Sequence, residues 1–355
     1  MTDLTLRHTP SSNALDSAVQ RNFHWVALWL YACCAMIFAM VVIGGVTRLT
    51  ESGLSIVEWQ PIKGTLPPLN AEQWQTAFEQ YQATPQFRFV NASMTIDEFR
   101  QIFWWEYVHR LWGRLIGFVF LIPLIVFWLT GRLDRTLRAP LVVFFLLGGM
   151  QGVIGWFMVA SGLKDVPWVS PYFLTLHLGF ALALYGGLFW VATTLWRGSA
   201  ALITPKSVST LARAALALVF TTIVAGGFVA GLRAGQIYNE FPLMGDGLVP
   251  TDYLSASIPW VRNFFENPAA AQFDHRLLAI TTVITVLTLC GVVWRRVSDA
   301  AARVGVTLLA AMALIQMTLG IATLLSHVPV WLGALHQAGA VTLLSLAVWS
   351  VHRLR

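Results

Sequence analysis

Apolar residues fill eight long runs along the chain, around 23–46, 103–130, 139–160, 171–196, 208–232, 274–294, 303–325 and 331–352. Each is near or above the roughly 20 residues a helix needs to cross a bilayer. The pattern predicts an all-α integral membrane protein with eight transmembrane helices. Two long polar stretches, roughly 47–102 and 233–272, separate runs 1 from 2 and 5 from 6. In the first, Asn70 can cap a helix through NAEQWQTAFEQYQ, whose Trp74, Phe78 and Tyr81 share one face, as in an interfacial helix. Thr95 followed by Glu98 makes a capping box, so a second helix starts in water and continues into the membrane through FWWEYVHR. Trp104, Trp105, Trp168, Trp260 and Trp331 lie near the outer span ends, as an aromatic belt would.

Composition agrees with the pattern. The chain is 57% hydrophobic and 11% charged, with mean hydropathy +0.65. Residues 1–22 form a polar tail without the apolar core of a signal peptide, so the first span is expected to be a retained anchor. Cys33, Cys34 and Cys290 all fall inside apolar runs, which argues against a disulfide framework or a zinc site. The net charge of +6 raises the question of nucleic acid, and its placement answers it. Arg132, Arg135 and Arg138 lie between runs 2 and 3, Arg197 and Lys206 between 4 and 5, and Arg295, Arg296 and Arg303 between 6 and 7. Arg353 and Arg355 end the chain. The loop between runs 3 and 4 has only Lys164, and the one between 7 and 8 has no Lys or Arg. This is a positive-inside bias; it expects both termini in the cytoplasm and no nucleic-acid partner.

Four histidines stand inside the spans: His109 in EYVHRLWGR, His177 in TLHLGFALAL, His275 in FDHRLLA and His336 in ALHQAGA. Imidazole is costly in lipid unless bonded, so each is a functional candidate, although a single one is more often a hydrogen-bonded core residue. Their recurrence is harder to dismiss. GGVTR at the end of run 1 resembles GGFVAGLR at the end of run 5, and Gln151 and Gly155 echo Gln316 and Gly320. His109 to His275 is an offset of 275 − 109 = 166, and His177 to His336 is 336 − 177 = 159. The reading is a tail at 1–22 and two four-helix halves, 23–200 and 201–355, as parallel pseudo-repeated bundles related by an axis along the membrane normal. All four imidazoles then lie at one depth near the outer face. His8, His24, His327 and His352 read as bystanders.

Two facing imidazoles suit haem iron, whereas zinc would want thiolate or carboxylate help. Gly113, Gly179 and Gly339 lie near the candidate ligands and fit either the approach of a flat macrocycle or plain helix packing. Arg48, Arg110, Arg233 and Arg276, at outer span ends, fit either haem propionates or snorkelling to headgroups. Glu106 breaks the symmetry: it lies one turn before His109, where the second half has Gln272. A carboxylate at that depth is expensive and suits proton handling or charge stabilisation, so the two pockets are expected to be inequivalent.

These motifs carry a resemblance. GGVTRLTESGLSIVEWQPIKGTLPPL, FWWEYVHRLWGRLIG, TLHLGFALAL, AGQIYNEFPLMGDGLVP, NFFENPAAAQFDHRLLA and ALHQAGA together resemble the haem A synthase family of proteobacterial and mitochondrial type, over essentially the whole chain. One branch of that family has a cysteine pair in the first outer loop; this chain lacks it, so no thiol step carries over. The resemblance implies oxidation of the C8 methyl of haem O to the formyl group of haem A by successive hydroxylations, for a terminal oxidase. It implies a haem b on His275 and His336, and substrate haem near His109, His177 and Glu106. It also implies a bacterial inner membrane and, as partners, haem O synthase and an electron acceptor or donor, and it leaves a homo-oligomer open. The main rival reading, a dihaem b-type electron-transfer cytochrome, explains four histidines equally well but not Glu106 in one half only, and a haem transporter is a second rival that the outer-facing depth permits.

Overall fold

The computed structural model describes residues 12–59, 63–164, 166–197, 202 and 204–355, with side chains from Asn22 onward. Among these residues there are eleven α-helices and no strand. Eight are long and apolar enough to cross a membrane: α1 (Ser12–Leu49, apolar from Asn22), α4 (Ile96–Leu129), α5 (Arg135–Gly162), α6 (Pro171–Arg197), α7 (Lys206–Gly231), α9 (Pro268–Arg296), α10 (Ala300–Leu325) and α11 (Val330–Arg353). Three short helices, α2 (Ala71–Gln82), α3 (Pro85–Phe89) and α8 (Trp260–Glu266), lie in the two long loops. The chain is thus a multi-pass, all-helical membrane protein. Helix α1 begins at Ser12, inside the stretch expected as a polar tail; residues 1–11 lie outside the described residues. The three cysteines are free thiols within α1 and α9.

Local chemistry sets the helix starts. Asn70 Oδ1 accepts from Gln73 N at 2.9 Å to open α2, and both halves of the Thr95–Glu98 capping box are formed at α4. Because that cap stands in water, α4 starts about two turns before the apolar run does. Asn267 Oδ1 accepts from Ala269 N at 2.9 Å at the start of α9, and Pro268 fills the first position, where no donor is needed.

The helices α1, α4, α5 and α6 pack in a ring, each touching two others of the set, and α7, α9, α10 and α11 do the same. The sets meet where α1 packs on α11 and α6 packs on both α7 and α11. Lipid is as apolar as leucine, so what holds this junction is close packing and polar contacts satisfied between helices. Leu30, Cys33, Leu182, Leu344 and Ala347 are buried there. Tyr185 Oη and Ser345 Oγ are 2.7 Å apart across the junction, while within the first ring Tyr31 Oη of α1 donates to Thr193 Oγ1 of α6 at 3.1 Å.

The first outer loop differs from expectation in one respect. The aromatic face of α2 does not lie on lipid: Phe78 and Tyr81 are buried against Phe99 and Phe103 of α4, with Trp74 edge-on to Phe103 at 4.9 Å. The aromatic rings in the first turns of α4 give α2 an apolar protein surface to bury its face against. The belt tryptophans Trp104, Trp105, Trp168, Trp260 and Trp331 are all exposed.

Candidate functional site

Each of the four spanning histidines rests on a glycine of the preceding membrane helix. A Cβ at Gly44 of α1 would come within 2.9 Å of His109 Cε1, and one at Gly155 of α5 within 3.0 Å of His177 Cε1. In the second half a Cβ at Gly226 of α7 would meet His275 Cε1 at 3.0 Å, and one at Gly320 of α10 would meet His336 Cε1 at 2.9 Å. Any side chain at these positions would displace a ring, so the glycines are what let four imidazoles tuck between helices. The glycines expected near the ligands do something else: Gly113, Gly179 and Gly339 face Met40, Val224 and Gln316. The repeated Gly-Gly of spans 1 and 5 and the Gln-x-x-x-Gly of spans 3 and 7 were the available signal. The rings form two pairs, His109 with His177 and His275 with His336, close enough to interact electrostatically.

The pairs differ in how their Nδ1 atoms are held. His275 Nδ1 lies 3.0 Å from the carbonyl oxygen of Thr222. A carbonyl can only accept, so Nδ1 carries the proton and Nε2 is left with its lone pair, the form that ligates a metal. Gln316 Nε2 donates to His336 O at 2.8 Å and lies 3.2 Å from His336 Nδ1. In the first half Gln151 Nε2 likewise donates to His177 O at 2.7 Å. There, however, Nδ1 of both His109 and His177 is enclosed and without a hydrogen-bond partner.

Glu106 is 2% exposed and fully engaged. Its Oε2 accepts from Ser55 Oγ and from Ile56 N, each at 2.8 Å. Its Oε1 accepts from Arg110 Nη2 at 2.6 Å and Nε at 3.1 Å. Arg110 also donates to the carbonyls of Ile56 (2.7 Å) and Glu58 (3.0 Å), which fastens the first outer loop to α4 beside His109. Arg276 does the same beside His275, donating to the carbonyls of Tyr238 and Leu243 at 3.1 Å each. Gln272, standing where the first half has Glu106, is also 2% exposed and donates to Tyr238 O at 3.1 Å. Ser55 and Ile56 were not legible as site residues, because nothing in sequence marks which loop segment folds back on a helix.

The other two arginines meet between the halves. Arg48, at the end of α1, donates to Ala230 O near the end of α7. Arg233 is ion-paired with Glu51 and stacks over Trp168 at 4.0 Å.

Fold and site together define a multi-pass membrane protein that encloses two pairs of histidines within its spanning helices and one buried carboxylate beside the first pair. The chain matches the COX15-CtaA family, described as cytochrome oxidase assembly protein, over residues 27–348, and it belongs to that family. It is 50% identical to the Heme A synthase of Nitrosospira multiformis over 353 residues, spanning 98% of this chain and 97% of that protein. It is 47% identical to the Heme A synthase of Nitrosomonas eutropha, spanning 98% and 99%. Heme A synthase COX15 of Bos taurus is 41% identical over 364 residues, which span 100% of this chain and 87% of that protein.

Proposed function

We propose that the chain is a haem A synthase, oxidising the C8 methyl group of haem O to the formyl group of haem A by successive hydroxylations. Family membership and near-full-length identity to Heme A synthases support the reaction. The division of labour between halves is carried by one observation: the ring nitrogen of His275 is fixed by Thr222, while those of His109 and His177 are not. A fixed tautomer suits a resident group, and unanchored rings suit a guest that comes and goes.

The second half fits a haem b. Two imidazoles are cradled on glycines, with Nε2 of His275 in ligating form and, among the described residues, no thiolate or third ligand converging on them. Bound there, haem b supplies one-electron redox chemistry. In the first half His109 and His177 hold the substrate iron on the floor made by Gly44 and Gly155. Glu106 sets a fixed negative charge one turn from His109, where it can accept a proton or balance positive charge developing at the methyl carbon. The loop held by Arg110, with the aromatic cap of α2, keeps water from that edge. Arg110 is taken up by Glu106 and two loop carbonyls and Arg276 holds two loop carbonyls, so propionate binding falls mainly to Arg48 and Arg233. Arg233 is paired with Glu51 and Arg48 with a carbonyl oxygen, so the positive charge of Arg48 is left for an anion.

The halves, 23–200 and 201–355, are read as parallel repeats, supported by the same order of helix contacts in each ring. The protein sits in a bacterial inner membrane with both termini in the cytoplasm, and haem O synthase and an electron acceptor or donor work alongside it. Reporter fusions at residues 60 and 250 are expected to report the outer side; a cytoplasmic signal from either would break the eight-span topology. Expression in a host that makes haem O but no haem A tests the reaction, with haem A expected in the extracted pigment. Two identical bound haems and no haem A would instead mark an electron carrier.

A further inference from the structure

We infer that the seam between α4 and α5, on the inner side of His109 and His177, receives the farnesyl tail of haem O, and that Gly117, Gly148 and Gly152 are the residues that make room for it. The inference rests on reading the first half as the substrate side.

The register of the seam is fixed by Phe120 of α4 and Phe145 of α5, which stack with centroids 6.2 Å apart. In an antiparallel pair, stepping three residues back along α4 and three forward along α5 brings Gly117 opposite Gly148. Around α5, Gln151 and Gly155 point to α6, where they meet His177, and Phe145 points to α4. At 100° per residue Gly148 and Gly152 fall between those directions, facing the interior of the ring. A Cβ built at Gly117, Gly148 or Gly152 would meet nothing within 4 Å. The gap starts near the histidines and runs inward, Gly117 lying eight residues or about 12 Å along the axis from His109. At its outer end wait enclosed polar atoms without partners: Nδ1 of His109, Nδ1 of His177 and Oε1 of Gln151.

The second half closes the same seam. With the offset 275 − 109 = 166, Gly117 corresponds to Val283; with 316 − 151 = 165, Gly148 and Gly152 correspond to Ala313 and Met317. Val283 is 9% exposed and Ala313 1%. None of the most apolar stretch of α5 is buried, against 28% of that of α10. Haem b carries a vinyl group where haem O carries a long isoprenoid chain. A half that turns over haem O therefore needs apolar room that a half holding haem b does not, and the open glycine seam lies in the first half. A lipid acyl chain shares this chemistry, and the test separates the two.

Gly117→Val and Gly152→Met, singly and combined, import residues the second half already uses. The open space leaves the fold able to accept them, and retention of the fixed haem reports that it has. The full-length variants, with that haem in place, are titrated with haem O and with protohaem, followed by the Soret band. The combined variant is expected to lose about tenfold or more in affinity for haem O and less than about twofold for protohaem. Equal loss for both pigments overturns the inference, because the seam then supports the histidines and not the tail. No loss for either also overturns it, leaving a lipid acyl chain as the occupant. His109→Ala is titrated alongside: unchanged haem O binding in that variant would remove the reading of the first half itself.

Discussion

Protein carrying His275→Ala is expected to emerge from purification with most of its fixed haem gone. A bis-imidazole site needs both rings, and His275 is the ring whose proton is pinned, by the Thr222 carbonyl 3.0 Å away. Losing a group that merely orients a ligand typically weakens a metal site by about 10–100-fold, so losing the ligand itself should cost more than about 100-fold. Haem per polypeptide, measured from the extracted pigment, is the readout, with His109→Ala as the comparison expected to keep its fixed haem. Loss in His109→Ala and retention in His275→Ala would exchange the roles of the halves.

The second large effect is expected from Glu106→Gln. Glutamine has nearly the same size but cannot accept from both of the groups that flank the carboxylate. Its amide nitrogen must face either the Arg110 guanidinium or the Ser55 hydroxyl and Ile56 N–H, which are donors themselves. The change therefore removes the negative charge and one anchor of the outer loop. Breaking a buried ion pair from one side costs about 3–5 kcal/mol, but here that cost falls on the loop and the outer end of α4, leaving the second half intact. The variant is expected to fold and keep its fixed haem while making about 10²–10⁴-fold less haem A, with haem O or a hydroxylated intermediate accumulating. Near-normal haem A in the extracted pigment would show that Glu106 is only a loop anchor. Ser55→Ala distinguishes the two contributions: it removes one donor to Glu106 Oε2 and keeps the charge, so its deficit should be far smaller.

The spans and helix caps could be read from sequence because their causes are local: an apolar run of sufficient length, an Asn or Thr with a donor three residues on. The four histidines could be read because imidazole in lipid needs a reason. Other features could not. The face of α2 is amphipathic whether lipid or protein covers it, and only the fold reveals that Phe99 and Phe103 do. Glycines near His109 and His177 were conspicuous, yet those under the rings sit on other helices, and sequence separation hides which helix lies behind which. The arginines are the sharpest case. A guanidinium at an outer span end is equally suited to a propionate, a headgroup or a carbonyl, and Arg110 and Arg276 met carbonyls.

That use of Arg110 and Arg276 bears on which changes the outer loops can absorb. Both side chains grip main-chain oxygens, those of Ile56 and Glu58 in one loop and of Tyr238 and Leu243 in the other. Every residue type offers the same carbonyl, so the grip is blind to which side chains occupy those positions. It is sensitive to chain length instead. One residue inserted between Arg233 and Tyr238 would offer the clamp the wrong carbonyl, and the helix bearing the neighbouring histidine would feel the mismatch. Loops such as these can change their composition freely while their length between fixed points stays constrained. Room for an added segment lies only beyond Glu58 and beyond Leu243, on the far side of each clamp.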